Sequence, residues 1–256
     1  MGSLTFIASC TTYQRMFYFD PLYIMITLVA LGLSLWAQAL VKWAFAKYSK
    51  IPNAQGLTGA EVAEKILERQ GIRDVTVTPT SKRRWMGIGG DGMMDDHYDP
   101  RVKAVRLSPD VYNGRSQAAV AIAAHEVGHA IQHARAYAPF KMRSQLAPAA
   151  AFGSNISFYL IFVGFLMHAM SMVKIGILLF SIAVVFQFIT LPVEWNASQR
   201  AKRLVREYGI VQGNESVAVA KVLNAAALTY VAAAAAALLN LLYLLFRSGF
   251  LGGRRN

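Results

Sequence analysis

Two histidines and a glutamate lie within five residues, at His125, Glu126 and His129. Histidines four positions apart on an α-helix lie one turn above each other on the same face, so both imidazole rings can reach one zinc ion. The glutamate beside the first histidine would lie close to the open coordination position. There it can take a proton from a zinc-activated water and pass it to a leaving amine. The spacing therefore predicts metal-assisted hydrolysis of an amide bond.

The surrounding residues favour a helix that carries this H-E-x-x-H pattern, which is typical of zinc metallopeptidases. Ser116 is a good N-cap, residues 118–124 are all apolar, and no proline interrupts the predicted helix 116–135. The alternative is a pair of core histidines satisfied by hydrogen bonds, with Glu126 paired to an arginine. A buried carboxylate beside two imidazoles is costly without a cation, which favours the metal.

A catalytic zinc site usually takes three protein ligands, so a third is needed. His133 lies eight residues beyond His125, a helical rise of about 12 Å, which is too far for both to bind one ion. It can serve instead as an outer hydrogen-bond partner or as an ordinary helix-end histidine. His97, in the segment Asp96–Pro100, stays possible as the third ligand.

Glu194 is the better candidate for the third ligand. It directly follows Leu191-Pro192-Val193, where the third apolar run of the chain ends. A carboxylate at that depth is costly unless it is paired or metal-bound, which makes it a functional candidate. The alternative is an ion pair with Arg143 or Arg200.

The remaining composition predicts a membrane protein. The chain has 256 residues, 55% of them hydrophobic, and a segment of about 20 apolar residues is long enough to cross a bilayer as a helix. We therefore predict four membrane-spanning helices. The four uncharged stretches are 21–41, 144–173, 175–193 and 222–246.

The net charge of +12 is unevenly distributed along the chain. Sixteen Lys and Arg lie in residues 42–143 and five in 194–221. If all four apolar runs cross the membrane, these segments share one face, which the positive-inside rule makes cytoplasmic. We predict a multi-pass cell-membrane protein with its N-terminus outside and its catalytic domain facing the cytoplasm. The three arginines after Phe246 count against this orientation. The sequence has no stripe of alternating aromatic and basic residues, so we do not expect a nucleic-acid partner.

Two further features are less informative. Cys10 is the single cysteine, so no intramolecular disulfide forms. Residues 82–96 are rich in glycine and predict a mobile loop, without the pattern of a phosphate-binding loop.

Between these features the sequence predicts short elements. Thr58-Gly59-Ala60-Glu61 has the form of a capping box that starts a helix ending near Gly71. Segments Asp74–Thr78 and Lys103–Ser108 alternate apolar and polar residues and predict a small antiparallel sheet. The predicted organisation is a leader (1–20), transmembrane helix 1 (21–46), a zinc-peptidase domain (47–141), a hairpin of transmembrane helices 2 and 3 (142–193), a third-ligand segment with a basic helix (194–221), transmembrane helix 4 (222–247) and a tail (248–256).

Two segments together resemble the gluzincin arrangement, in which two motif histidines and a downstream glutamate bind zinc. They are 124–130 and 194–201. The second is also similar to the corresponding segment of the HtpX and CAAX-prenyl membrane proteases. Ser198 stands where those proteases have aspartate, which puts in doubt any supporting role carried over to that position.

A closer resemblance, over nearly the whole chain, is to the YugP-like family of neutral zinc metallopeptidases. It implies a mainly α membrane protein in which four transmembrane helices accompany a gluzincin-like α+β catalytic domain. It also implies one Zn²⁺ held by His125, His129 and Glu194, with Glu126 as the general base. The segments that carry the resemblance are 34–38, the Thr58 capping box, 96–108, the motif helix through His133, 192–201 and 228–230. Further candidates for supporting the ligands or contacting substrate are His97, Tyr98, His133, Asn196 and Ser198.

The expected function is that of a membrane-embedded zinc endopeptidase acting on peptides or membrane proteins at the cytoplasmic membrane surface. The strand 103–108 is expected to hold an extended substrate by edge pairing. One alternative is a non-catalytic membrane scaffold with a structural zinc, although such sites are usually closed by four ligands and rich in cysteine. The other is a transporter, for which the spans carry few polar residues.

Overall fold

The computed structural model describes residues 20–80 and 96–249, so Cys10 and nearly all of the loop 82–96 lie outside the described residues. The described part is mainly helical and contains one small sheet. In chain order the elements are α1 (Pro21–Tyr48), α2 (Gly59–Arg69), β1 (Thr76–Pro79), β2 (His97–Asp99), β3 (Ala104–Leu107), α3 (Pro109–Tyr112), α4 (Gln117–Ala134), α5 (Ala138–Leu166), α6 (Met170–Glu207) and α7 (Asn214–Arg247).

Four of these helices, α1, α5, α6 and α7, are long and apolar enough to cross a membrane, which confirms the four predicted spans. α6 does not end with its apolar run. It continues through Pro192 to Glu207, so that the apolar segment and the basic segment after Glu194 form one 38-residue helix. Proline inside a membrane helix is tolerated where neighbouring groups satisfy the freed carbonyl. The division into domains given above stays a prediction.

The chain forms two compact units. The first comprises the described residues up to Trp36 together with 146–188 and those from 232 onward. In this unit Asp20 accepts a hydrogen bond from the Tyr243 hydroxyl at 2.8 Å and lies 3.6 Å from Nε of Arg247. Arg247 therefore has an acidic partner, and the orientation of the chain in the membrane stays a prediction.

The second unit comprises 37–145 and 189–231 and contains the helix with the H-E-x-x-H pattern. α4 begins as predicted: the side chain of Ser116 accepts a hydrogen bond from the backbone N–H of Ala119. Its alanine-rich first half is buried, and Val127 and Ile131 continue the apolar face. Ile66 of α2 and Leu204 of α6 belong to the same core. The metal-binding pattern is thus carried by the most enclosed helix of this unit.

The sheet is mixed and has three strands in the order β1-β3-β2. The predicted strands around 74–78 and 103–108 are present as β1 and β3, but they pair in parallel, so their predicted antiparallel pairing is wrong. The antiparallel partner of β3 is β2, in which Tyr98 lies opposite Val105. β3 therefore has strands on both sides and offers no free edge, which also makes edge pairing of substrate with residues 103–108 wrong.

The predicted capping box at Thr58 is present and generates a first prediction. The Thr58 hydroxyl accepts from the backbone N–H of Glu61 at 3.2 Å, and the Glu61 carboxylate accepts from the backbone N–H of Thr58 at 2.7 Å. Thr58→Ala should lower the local stability of the first turn of α2 by about 1 kcal/mol. Faster amide hydrogen exchange in that turn would show this, whereas Thr58→Ser should retain protection. Equal exchange in the alanine variant and the wild type would contradict it.

Candidate metal centre

The centre begins with the two histidines of α4. His125 and His129 lie one turn apart, with ring centroids 4.8 Å apart and ring planes at 84°. His129 is buried and His125 half-buried, so both rings face the protein interior rather than bulk water. The two imidazole rings therefore lie one turn apart on the same face of the helix, as the spacing of the histidines predicted.

α6 brings Glu194 to the same place. Its Oε2 atom lies 3.2 Å from Nε2 of His125 and 3.5 Å from Nε2 of His129, and the residue is 2% exposed. Two ligands of a tetrahedral zinc, each about 2.1 Å from the ion, are separated by about 3.4 Å. The spacing of these donors therefore fits a tetrahedral ion. Within the described residues these three side chains form the one group that could hold a metal.

The approach of α6 to α4 depends on Gly128. A Cβ atom at this position would lie 2.8 Å from the Ala197 carbonyl oxygen and 3.1 Å from the Ala197 Cα. Both contacts are with backbone, which cannot swing aside as a side chain can. Glycine inside the motif therefore lets the segment that carries Glu194 pack directly against the two histidines.

The outer nitrogens of the two rings are also engaged. Nδ1 of His125 lies 3.2 Å from the hydroxyl of Ser198, and Nδ1 of His129 lies 3.0 Å from Oε1 of Gln132. Metal-binding histidines usually use their second nitrogen in this way, which fixes the ring orientation. With Nδ1 held, both Nε2 atoms face Glu194. Ser198 thus contacts a candidate ligand directly.

Glu126 is buried next to this cluster, and the backbone of Tyr98 lies close to its carboxylate. Burial raises the pKa of Glu126 to about 7, the nearby charge of His125 opposes this rise, and the carboxylate of Glu194 adds to it. The contact also places β2 directly against the predicted general base.

Two residues outside the H-E-x-x-H motif also lie beside Glu194. Nη1 of Arg143 lies 3.0 Å from Oε1 of Glu194 as an ion pair. The hydroxyl of Tyr230, on α7, lies near the same carboxylate. The alternative of an arginine partner for Glu194 is therefore present together with the histidine cluster: Oε2 faces the imidazoles and Oε1 faces Arg143. The only signal for Tyr230 was its place in the resembling segment 228–230.

The other candidates lie outside the cluster. The Tyr98 hydroxyl is 2.8 Å from Nδ1 of His133, and Phe140 packs against both His133 and His129. Neither His133 nor the exposed His97 of β2 joins the three ligand atoms.

Asn196 is one step removed from the cluster. Its Oδ1 atom accepts from Nε2 of Gln132 at 3.1 Å and from Nε of Arg200 at 2.7 Å. Arg200, the second arginine considered as a partner of Glu194, is therefore bonded to Asn196.

The sequence matches a known family of proteins. Residues 23–249 match the model of the family described as "Putative neutral zinc metallopeptidase". The match covers most of the chain, so the chain belongs to this family, as the resemblance implied. The description names zinc as the metal, and the His125, His129 and Glu194 donors could hold it.

A curated relative supports the same assignment. The chain is 47% identical to "Putative membrane protease YugP" of Bacillus subtilis over 233 residues, which cover 91% of this chain and 98% of the relative. Together with the four apolar helices, this similarity indicates a multi-pass membrane protein. No solved structure matches the chain.

Removing the carboxylate of Glu194 tests its place in the centre. Glu194→Ala deletes one donor and leaves the charge of Arg143 uncompensated beside the site, so zinc affinity should fall by more than about 100-fold, beyond the loss typical of an outer hydrogen-bond partner. His133→Ala is the control, because it removes a nearby histidine that is not one of the three donors, and it should bind zinc like the wild type. Chelator competition on the purified protein measures both. Loss of zinc in the His133 variant with retention in the Glu194 variant would reverse the assignment.

Gly128→Ala tests the close packing of α4 and α6. The added methyl group must push the Ala197 backbone away, which moves Glu194 relative to the histidines. We expect weaker zinc binding although no donor is altered. Gly153→Ala is the control. It also adds a Cβ atom close to a helix backbone, 3.0 Å from the Leu179 carbonyl oxygen, at a position that is not part of the metal centre. Unchanged zinc affinity in Gly128→Ala would show that this contact does not position the centre.

Proposed function

We propose that this protein is a membrane-embedded zinc-dependent endopeptidase whose active site lies at the cytoplasmic membrane surface. The observation that carries the proposal is the convergence of three donors, from the half-buried His125 and the buried His129 and Glu194, beside the buried carboxylate of Glu126. In this gluzincin-like arrangement the three donors hold the zinc, and Glu126 is left free of the donor set to handle protons.

The proposed chemistry follows from this division of roles between the three donors and Glu126. A zinc ion held here supplies a Lewis acid that polarises the scissile carbonyl and makes water a stronger acid. Glu126 takes one proton from the attacking water as the water oxygen bonds to the carbonyl carbon. It then gives that proton to the amide nitrogen as the carbon–nitrogen bond breaks, which yields a carboxylic acid and an amine.

The strand beside Glu126 is suited to hold an extended peptide. Within the described residues β2 pairs with β3 on one side and has no strand on the other. The backbone of Tyr98 in this strand lies close to Glu126. A substrate strand added to this side of β2 would run past the general base, and β-strand addition is a common mode of peptide recognition. We therefore assign to β2 the substrate role first expected of residues 103–108.

Two tryptophan–lysine pairs support a site at the membrane surface. Nζ of Lys47 lies 5.1 Å from the ring centre of Trp43, and Nζ of Lys202 lies 5.6 Å from that of Trp195. Both tryptophans are more than half exposed. Tryptophan flanked by lysine is typical of the membrane–water interface, and Trp195 directly follows Glu194. The excess of Lys and Arg in residues 42–143 and 194–221 supports the cytoplasmic side.

Glu126→Gln separates catalysis from metal binding. The amide cannot accept the proton of the attacking water, so cleavage of a casein-type or membrane-protein substrate should fall by about 10²- to 10⁴-fold. Zinc content should stay at the wild-type level because Glu126 is not a donor. Glu64→Gln, an exposed glutamate of α2, is the control and should cleave normally.

Unchanged cleavage by the Glu126 variant would contradict this mechanism. A wild type that binds zinc, loses thermal stability on chelation and cleaves no peptide in a library would favour the alternative, a non-catalytic scaffold with a structural zinc.

A further inference from the structure

Gln132 lies on α4 one turn beyond His129 and is fully buried, with 0% of its surface exposed. Its amide group makes three hydrogen bonds. Oε1 faces Nδ1 of His129 at 3.0 Å, and Nε2 faces the Val193 carbonyl oxygen at 2.8 Å and Oδ1 of Asn196 at 3.1 Å. One neutral side chain therefore contacts both a candidate zinc ligand and the residue directly before Glu194.

The partners of Gln132 determine which end of its amide points where. The Val193 carbonyl can only accept, so the Gln132 atom facing it must be the NH₂ group. Asn196 leads to the same orientation, because its Oδ1 already accepts from Nε of Arg200, a group that can only donate. The carbonyl end of Gln132 must then face His129.

This orientation selects the tautomer of His129. Oε1 of Gln132 can only accept, so Nδ1 of His129 must carry a proton. In the neutral ring Nε2 then has a free lone pair, and it is this atom that faces Glu194. The Ser198 hydroxyl beside His125 can donate or accept, so that contact does not impose the same choice.

We propose that Gln132 is a positioning residue of the centre: it holds His129 in the tautomer that can bind zinc through Nε2, and it ties that ring to the α6 segment that carries Glu194. This inference rests on the proposed function, in which the cluster is a zinc site. Gln132 contacts neither substrate nor metal, so it acts through His129 and through the backbone at Val193.

Gln132→Met keeps the length of the side chain but removes both the acceptor and the donors. Zinc affinity should fall by about 10- to 100-fold, as is usual when the outer partner of a metal-binding histidine is lost. Gln117→Met is the matched control, since Gln117 is a second buried glutamine of α4, and its Nε2 lies 3.5 Å from the carbonyl of Pro52. The control should bind zinc like the wild type. Gln132→Glu retains an oxygen towards Nδ1 and should bind zinc more tightly than Gln132→Met.

Chelator competition gives the affinities, and the visible absorption bands of the cobalt-substituted protein report the ligand geometry. The bands should shift in Gln132→Met and not in Gln117→Met. A wild type that binds no zinc would overturn the proposed function. A wild type that binds zinc while Gln132→Met binds it equally well, with unshifted cobalt bands, would overturn the role of Gln132 alone.

A second measurement decides the matter even if Gln132→Met does not fold. Nitrogen-15 NMR of the histidine-labelled wild type, in the metal-free state, reads the protonation of each ring nitrogen, with His129 assigned against a His129→Gln variant. We expect a proton on Nδ1 of His129. A bare Nδ1 with the proton on Nε2 would overturn the inference.

Discussion

The structure of the centre depends on the burial of a carboxylate against two imidazole rings. Glu194 is almost completely enclosed, and its Oε2 atom lies within 3.5 Å of Nε2 atoms from both motif histidines. Bringing electron-rich atoms together away from water is unfavourable unless a cation lies between them. Arg143 compensates the other carboxylate oxygen, on the opposite side of the group. The imidazole side is where a metal ion fits, by spacing and by the chemistry of the donors.

The second unit of the protein meets this constraint by fixing two helices against each other. Gly128 allows the backbone of α6 to approach α4 at the level of Ala197. Gln132 of α4 and Ser198 of α6 then contact the outer nitrogens of the two rings. Each of these contacts alone would stabilise the centre only weakly, since a hydrogen bond between neutral groups contributes about 1 kcal/mol. Their shared effect is to direct both Nε2 atoms at one carboxylate, and such preorganisation is what a metal site requires.

Local periodicity explains which parts could be predicted from the sequence. His125, Glu126 and His129 are neighbours on a helix, so their geometry follows from residue spacing alone. Glu194 could be identified from the sequence because a carboxylate at the end of an apolar run is costly to bury unless it is paired or bound to a metal. The parallel pairing of β1 and β3 was not predictable, because an alternating strand four residues long carries no information about the direction of its partner. Gln132 was not identified from the sequence. A glutamine on an apolar helix face gives the same sequence pattern whether it supports a metal ligand or only fills space in the core.

Tyr230 illustrates a different limit. It lies near Glu194 but on a helix distant in the sequence, and nothing in its immediate surroundings predicts that contact. Arg143, by contrast, was expected as a possible ion-pair partner of Glu194, and the structure shows this pair together with the two histidines. Long-range contacts of this kind follow from how α5, α6 and α7 pack, which hydrophobic patterning indicates only coarsely. The family resemblance included Tyr230 within a shared segment but gave no reason for its presence. The structure places the Tyr230 hydroxyl near the buried carboxylate of Glu194.

X-ray absorption at the zinc edge of the purified wild-type protein tests the central claim most directly. We predict one zinc per chain in a shell of nitrogen and oxygen ligands at about 2.0–2.2 Å, with outer-shell scattering from two imidazole rings. A third imidazole would place His133 or His97 on the metal in place of Glu194. Sulfur at about 2.3 Å, or a protein that purifies without zinc and does not take it up, would contradict the metal centre itself.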